Sequence, residues 1–421
     1  WLIRYPCPAC ISTASKPADF GFNPNYRETL QKYPSLFPST PSEQAPDVIA
    51  YVDPKFKMPQ VWRSNLNVDI QLPYDFMLSV GAMYTRDIYN VAQINMNEAE
   101  PTGVYNEQPD RIYWASKKYE YNDYTNGKNV VVKLSNGEDK GYQYSFNAIL
   151  TKKYDFGFTG SIGYTYTMAK DLTANPGSAP NSAWQNNVAV NSLNDPGVSY
   201  SLFSTPHRII ANASYEINYA KCLKTTFSLF YSGYHTGRYS YTYYNDMNGD
   251  GNYSDLIYVP NSQDEMTFVD ITDKSGAITY SAVDQAKDFW DFVNNDSYLK
   301  DRKGKYVERN GSLTPWINRF DFKIAQDFYA TLGGRKYGIQ VSLDMLNVGN
   351  MINSKWGAYQ SCGLKSYDNV QLLKTASKVG EPLTYQINAN SREAFKERSS
   401  WQYTNTIGSA WSMQLGVKVT F

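Results

Sequence analysis

Hydrophobic and polar residues alternate along this chain with a period of two. In the last eleven residues, WSMQLGVKVTF, Trp411, Met413, Leu415, Val417, Val419 and Phe421 face one way. Ser412, Gln414, Gly416, Lys418 and Thr420 face the other, the pattern of a long amphipathic strand. The same alternation runs through Trp62, Leu66, Val68, Ile70 and Leu72 against Arg63, Asn65, Asn67, Asp69 and Gln71, and through Phe76, Leu78, Val80, Ala82 and Tyr84. It returns at 142–150, 156–168, 209–219, 223–231, 316–328 and 337–345, so nine strong strands are predicted.

These strands are longer than usual. Average strands have about 5 to 6 residues, whereas these have about ten to thirteen and often an aromatic at one end: Trp62, Trp316, Trp411, Phe328 and Phe421. Roughly ten steps of about 3.3 Å, tilted by about 40°, rise about 25 Å, the height of the apolar band on an outer-membrane barrel. The joins agree. Those at 73–75, 152–155, 220–222 and 329–336 are short, and those at about 89–141, 169–204, 239–314 and 350–408 are long. Outer-membrane barrels alternate short periplasmic turns with long outer loops, and a soluble sandwich has no reason to do so. The predicted fold class is therefore all-β, a transmembrane antiparallel β-barrel with long extracellular loops, in the bacterial outer membrane.

Nine strands whose first runs inward cannot make a complete barrel, which has an even strand number. The expectation is that residues 61–421 form the C-terminal part of a larger barrel and that 1–60 approach it as an extracellular loop or incoming segment. A weak strand hidden in 1–60 is the alternative, disfavoured by Pro34, Pro38, Pro41, Pro46 and Pro54. The opening WLIRYPCPAC has neither the apolar core nor the small-residue cleavage site of a secretion signal. On the polar face stand Arg63, Asp69, Arg208, Glu216, Arg319, Asp321, Lys323 and Asp344. Such charges are costly against lipid, so they are expected to line a wet lumen or touch a polar plug.

Composition narrows the chemistry. The chain of 421 residues carries 40 Lys+Arg against 40 Asp+Glu, so nothing in its net charge draws it to nucleic acid. Aromatic residues make up 15%, whereas only 2 His and 4 Cys are present, leaving little for metal or thiol chemistry.

The segments PQVWRSNLNVDIQLP (59–73), TPHRIIANASYEI (205–217), NGDGNYSDLIYVP (248–260), LTPWINRFDFKIAQDF (313–328), SLDMLNVGNMINSKWG (342–357) and GVKVTF resemble TonB-dependent outer-membrane receptors. The nearest branch is the Oar-like one, with the SusC-like glycan importers as relatives. The resemblance implies a 22-stranded barrel filled by an N-terminal plug and energised by TonB with ExbB and ExbD. It also implies partnership with outer-membrane lipid, possible pairing with a surface lipoprotein, and a terminal signal read by the barrel-assembly machinery, here Trp411, Leu415, Val417, Val419 and Phe421. No plug, TonB box or regulatory-like domain matches in this sequence, so the N-terminal barrel and plug portion is itself an expected partner.

Other motifs are weaker. In DMNGDGNYSD, Asp246, Asn248, Asp250, Asn252 and Asp255 place oxygens much as a calcium loop does, but Ile257 stands where the bidentate Glu belongs. Calcium is thus a candidate cofactor, and an Asn/Asp/Gly-rich turn is the favoured reading. Cys7 and Cys10 have CxxC spacing with no second pair or nearby His to complete a zinc site; Cys222 and Cys362 fall on opposite sides of the membrane. His207 and His235 flank strands, and no catalytic constellation accompanies them, so no enzymatic activity is expected. Residues 281–294 read as a helix capped by Ser281, with Val283, Ala286, Phe289, Trp290 and Val293 on one stripe, packing on neighbouring loops or serving as a lid. Tyr239, Tyr241, Tyr243 and Tyr244 either stack on solutes or reflect β-propensity. The leading functional expectation is a transporter of a bulky solute such as a peptide, glycan or chelate. The alternatives are a passive porin or surface scaffold, or a soluble glycan-binding protein or hydrolase.

Overall fold

The computed structural model describes residues 26–32, 48–121, 130–175, 177–362, 365–366, 369–388, 395, 401–404 and 406–421. Cys7 and Cys10 lie outside them. The nine expected strands are β1 (Gln60–Leu72), β2 (Phe76–Tyr89), β3 (Tyr142–Lys153), β4 (Phe158–Asp171), β5 (His207–Tyr219), β6 (Leu223–His235), β7 (Trp316–Leu332), β8 (Arg335–Leu346) and β9 (Ser412–Thr420). They form one sheet in strict chain order, each strand antiparallel to the next. Trp411 and Phe421 flank the last strand rather than belonging to it.

Tight reversals hold this meander in register. Between β7 and β8 the join is shorter than the sequence pattern implied, because the strands run on to Leu332 and Arg335 and leave only Gly333 and Gly334, with φ 59 and 78. Two successive left-handed residues make a turn whose twist matches that of the strands, and glycine enters this region at no steric cost. Consecutive positive φ values also occur at Tyr74 and Asp75 and at Ala220 and Lys221, in the turns after β1 and β5.

The register carries the alternation across the whole sheet. One face holds the row Val68–Val80–Ala148–Tyr164–Ile209 and the row Phe227–Ile324–Leu343–Leu415. By the same pairing, the charged residues on this face among the described residues are Arg86 and Lys170 at the long-loop end and Lys152 and Arg335 at the short-turn end. Between these levels the face is free of charge. Aromatic residues gather toward its ends: Trp62 against Tyr84, and Tyr144 against Phe146 and Tyr166, at one end, and Tyr154, Phe156 and Phe158 at the other. His207 and His235 belong to this aromatic band, His207 beside Tyr164 and Tyr166 and His235 edge-on to Trp316.

The buried core lies above the sheet, in the long connections. Tyr105, Val188, Tyr241, Ile257, Phe289, Val370 and Ile387 belong to one cluster drawn from all four long loops. Parallel strand pairs tie distant segments together there: Val48–Val52 with Val130–Ser135, and Arg238–Tyr243 with Asn369–Thr375. No helix among the described residues is long and apolar enough to cross a membrane.

Two expectations for the loops change. The helix is Ala282–Asn295, with the Ser281 hydroxyl accepting the Asp284 amide proton at 3.1 Å, but its inner stripe is shifted: Val283 is 75% exposed, while Gln285 and Phe292 are buried with Phe289 and Val293. Gln285 is tolerated inside because its amide donates to the Val269 and Tyr280 carbonyls and its oxygen accepts from the Ile387 amide. Tyr239, Tyr241 and Tyr243 are core residues and offer no stacking surface; of the four tyrosines, Tyr244 alone is exposed.

Candidate functional site

The polar face of the sheet brings the predicted lumen charges onto one surface. Lys323 pairs with Asp344 at 2.9 Å across β7 and β8. Lys224 sits 3.6 Å from both Glu216 and Asp327, and Gln340 donates to Asp327 at 2.8 Å. Lys224 and Asp327 are part of this ladder although the sequence analysis did not select them; they were legible as polar-face partners of Asn218 and Gln340 once the register is known. Arg63 donates to Thr85 at 3.1 Å, and Asp69 accepts from Ser79 at 2.5 Å. Arg208 lies over the Tyr234 ring. Toward the loops, Arg319 donates to the Tyr359 hydroxyl at 3.2 Å and Asp321 accepts the Asn347 amide at 2.7 Å. The polar face thus continues into the loop body through Arg319 and Asp321.

Within that body lies a cavity of about 520 Å³. Gln93, Lys133, Glu138, Asp139, Trp184 and Asn194 are among its lining residues, a polar wall with one indole. In the same loop body, buried arginines take up backbone carbonyls that the irregular loops leave without ladder partners. Arg111, fully buried, donates to the Val190 and Leu256 carbonyls and to Gln108 at 3.2 Å, faces Asp255 at 3.6 Å and lies over the Tyr306 ring at 4.8 Å. Arg309 donates to the Leu172 and Asp171 carbonyls, each at 2.5 Å, and to Asn187 at 3.0 Å.

The calcium-like loop behaves as a self-bonded turn. Asp246 accepts the amide protons of Gly249 and Gly251, Asn248 that of Asp250, Asp250 that of Asn252, and Asp255 that of Met247. These oxygens are engaged by the loop's own backbone and by Arg111. Among the described residues no group of three or more His, Cys, Asp or Glu side chains is placed to hold a metal ion. The carboxylates crowd one another out of water: burial, then Asp255 and Asp246, pushes Asp250 well above its ordinary range. Burial, with Asp246 beside it, pushes Asp255 up to about 7 despite the Arg111 guanidinium.

His207 shares a hydrogen bond with the Tyr164 hydroxyl at 2.7 Å and His235 one with the Thr314 carbonyl oxygen at 2.6 Å. Cys222 is exposed at a short turn and Cys362 is buried in the loops. Trp411, Leu415, Val417, Val419 and Phe421 all lie at exposed positions along or beside the last strand.

A charge-free apolar face bounded by aromatic bands, backed by a polar face, is the surface of a membrane-spanning barrel wall. A family model described as outer membrane beta barrel domain matches residues 9–358. The chain belongs to that family. None of the curated proteins and none of the solved structures compared with it matches. The barrel domain therefore resides in the bacterial outer membrane, its apolar face toward lipid and its polar face toward the lumen. Its long-loop end corresponds to the cell-surface side of such barrels.

Proposed function

We propose that this barrel domain forms part of the wall and outer vestibule of a TonB-dependent transporter that imports a bulky polar solute. One observation carries the reading: the lumen-facing charge ladder from Glu216 and Lys224 to Lys323 and Asp344 continues through Arg319 and Asp321 into a loop body holding a cavity of about 520 Å³. A polar face below a loop body that holds a polar-walled cavity suits a hydrophilic solute; Trp184, at the cavity's edge, is buried and donates to Asn194, so it closes the wall. In this reading an N-terminal barrel and plug portion fills the lumen against Arg63, Asp69, Arg208 and the ladder. TonB with ExbB and ExbD supplies energy through that plug, the barrel-assembly machinery reads the terminal aromatic Phe421, and a surface lipoprotein sits over the loops.

The test is solute uptake by cells carrying the intact protein, with and without TonB, together with planar-bilayer conductance of the purified protein. Uptake that stops without TonB, with a closed lumen in bilayers, supports the transporter. A large steady conductance and TonB-independent uptake would show a passive porin instead.

A further inference from the structure

On the lipid face, a groove of about 490 Å³ runs across β1, β2 and β3. Ser64 and Ala82 form its floor, and Leu66, Tyr84, Tyr144 and Phe146 its walls. The register places all six on the lipid-facing side, with Ser64 opposite Tyr84, Leu66 opposite Ala82, Ala82 opposite Phe146 and Tyr84 opposite Tyr144. A small residue between two large ones leaves a trough, and Leu66 and Phe146 are 67% and 54% exposed on its rims.

The next row toward the cell surface is Trp62–Arg86–Tyr142–Lys170. Arg86 is exposed and enters no ion pair among the described residues. Just beyond it, Lys57 donates to the Tyr89 hydroxyl at 2.9 Å, and Lys170 lies over the Tyr200 ring at 4.7 Å. From Phe76 to Arg86, ten strand steps of about 3.3 Å tilted by about 40° climb about 25 Å, so Arg86 stands where hydrocarbon gives way to headgroups. At the opposite rim, the lipid-facing Lys152 is already matched by Asp75 at 3.6 Å. Unmatched positive charge at the surface rim thus stands directly above the trough, whereas Arg335, in no ion pair among the described residues at the opposite rim, lies on β8, away from β1, β2 and β3.

We infer that this face binds a phosphate-bearing lipid of the outer leaflet, its acyl chain in the Leu66–Ala82–Phe146 trough and its phosphate against Arg86, with Lys57 and Lys170 flanking. A guanidinium holds a phosphate through charge-assisted paired hydrogen bonds, and the trough adds apolar burial at the depth where the chain begins. A zwitterionic lipid gains the trough but carries its own cation to the phosphate, so it competes poorly. The inference rests on membrane placement alone, and its failure would leave the transport reading untouched.

The experiment reconstitutes the intact protein in nanodiscs of phosphatidylcholine containing a few mole per cent of lipid A, a diphosphorylated, multiply acylated glucosamine lipid. Native mass spectrometry then counts retained lipid. The wild type retains lipid A over phosphatidylcholine. Arg86→Gln lowers that retention about tenfold, as loss of one charge-assisted contact implies, and Ala82→Phe lowers it by filling the trough. Arg86→Lys recovers part of the loss, and Arg335→Gln, at the other rim, leaves retention unchanged. Heat-modifiable gel migration confirms that each variant is folded. Equal retention of lipid A and phosphatidylcholine by the wild type, or of lipid A and its dephosphorylated form, would overturn the inference. So would wild-type retention by both Arg86→Gln and Ala82→Phe.

Discussion

Arg111 shows what a single buried side chain does in a body built from loops. It serves two carbonyls, one amide oxygen and one carboxylate at once, and its removal leaves Asp255 buried without its cation. Breaking a buried pair in this way costs about 3 to 5 kcal/mol. Arg111→Ala is therefore expected to open the loop body to protease while heat-modifiable migration, which reports the barrel wall, stays unchanged. On β9 the two faces predict opposite tolerances. Leu415→Arg, mid-strand on the lipid side, is expected to destabilise by about 2 to 4 kcal/mol, whereas Gln414→Arg, beside Asp344 on the lumen side, is expected to cause little loss in urea titrations of the liposome-inserted protein. Leu415 and Gln414 were legible from sequence because alternation assigns each to a face. The burial of Arg111 was not, since its partners lie as far as 145 positions away and only the assembled loops bring them together.

The strands and the loops differ in how they were written into the chain. Each long strand carries its own period-two pattern, repeated over ten or more residues and ended by tight turns, so all nine could be placed locally. The loop body depends on parallel pairings between remote segments, Arg238–Tyr243 with Asn369–Thr375 among them, which periodicity does not encode. The same holds for Tyr239, Tyr241 and Tyr243, whose alternation looks like an exposed strand extension until the partner strand covers it. At this scale the turn 246–255 makes the loops sensitive to pH. Asp250 and Asp255 hold protons in the folded state at pH values where the unfolded chain, with carboxyls near 3.8, has released them. The folded state then binds more protons across the interval from about 4 to 7, so stability falls as pH rises through it. Arg111 and Lys118 offset only part of the crowding. Hydrogen exchange, corrected for its intrinsic pH dependence, is expected to show loop amides better protected at pH 5.5 than at pH 8. Strand amides should change little.

For the molecule as a whole, the sheet is open: β1 and β9 each pair on one side only among the described residues. A row of free amides and carbonyls within the membrane is costly. Residues 1–421 are thus expected to associate, with light scattering in detergent showing oligomers or aggregates. The polar path was legible from sequence as eight charges on one face; the vestibule was not, because its walls come from separate loops. Those loops share one interlocked core, from Tyr105 through Tyr241 and Phe289 to Ile387. No single loop can swing aside without tearing aromatic surface out of that core. In the transport reading proposed above, a passage for a bulky solute would therefore open beside this roof or by lifting it in one piece, which would make the gate a property of four segments moving together.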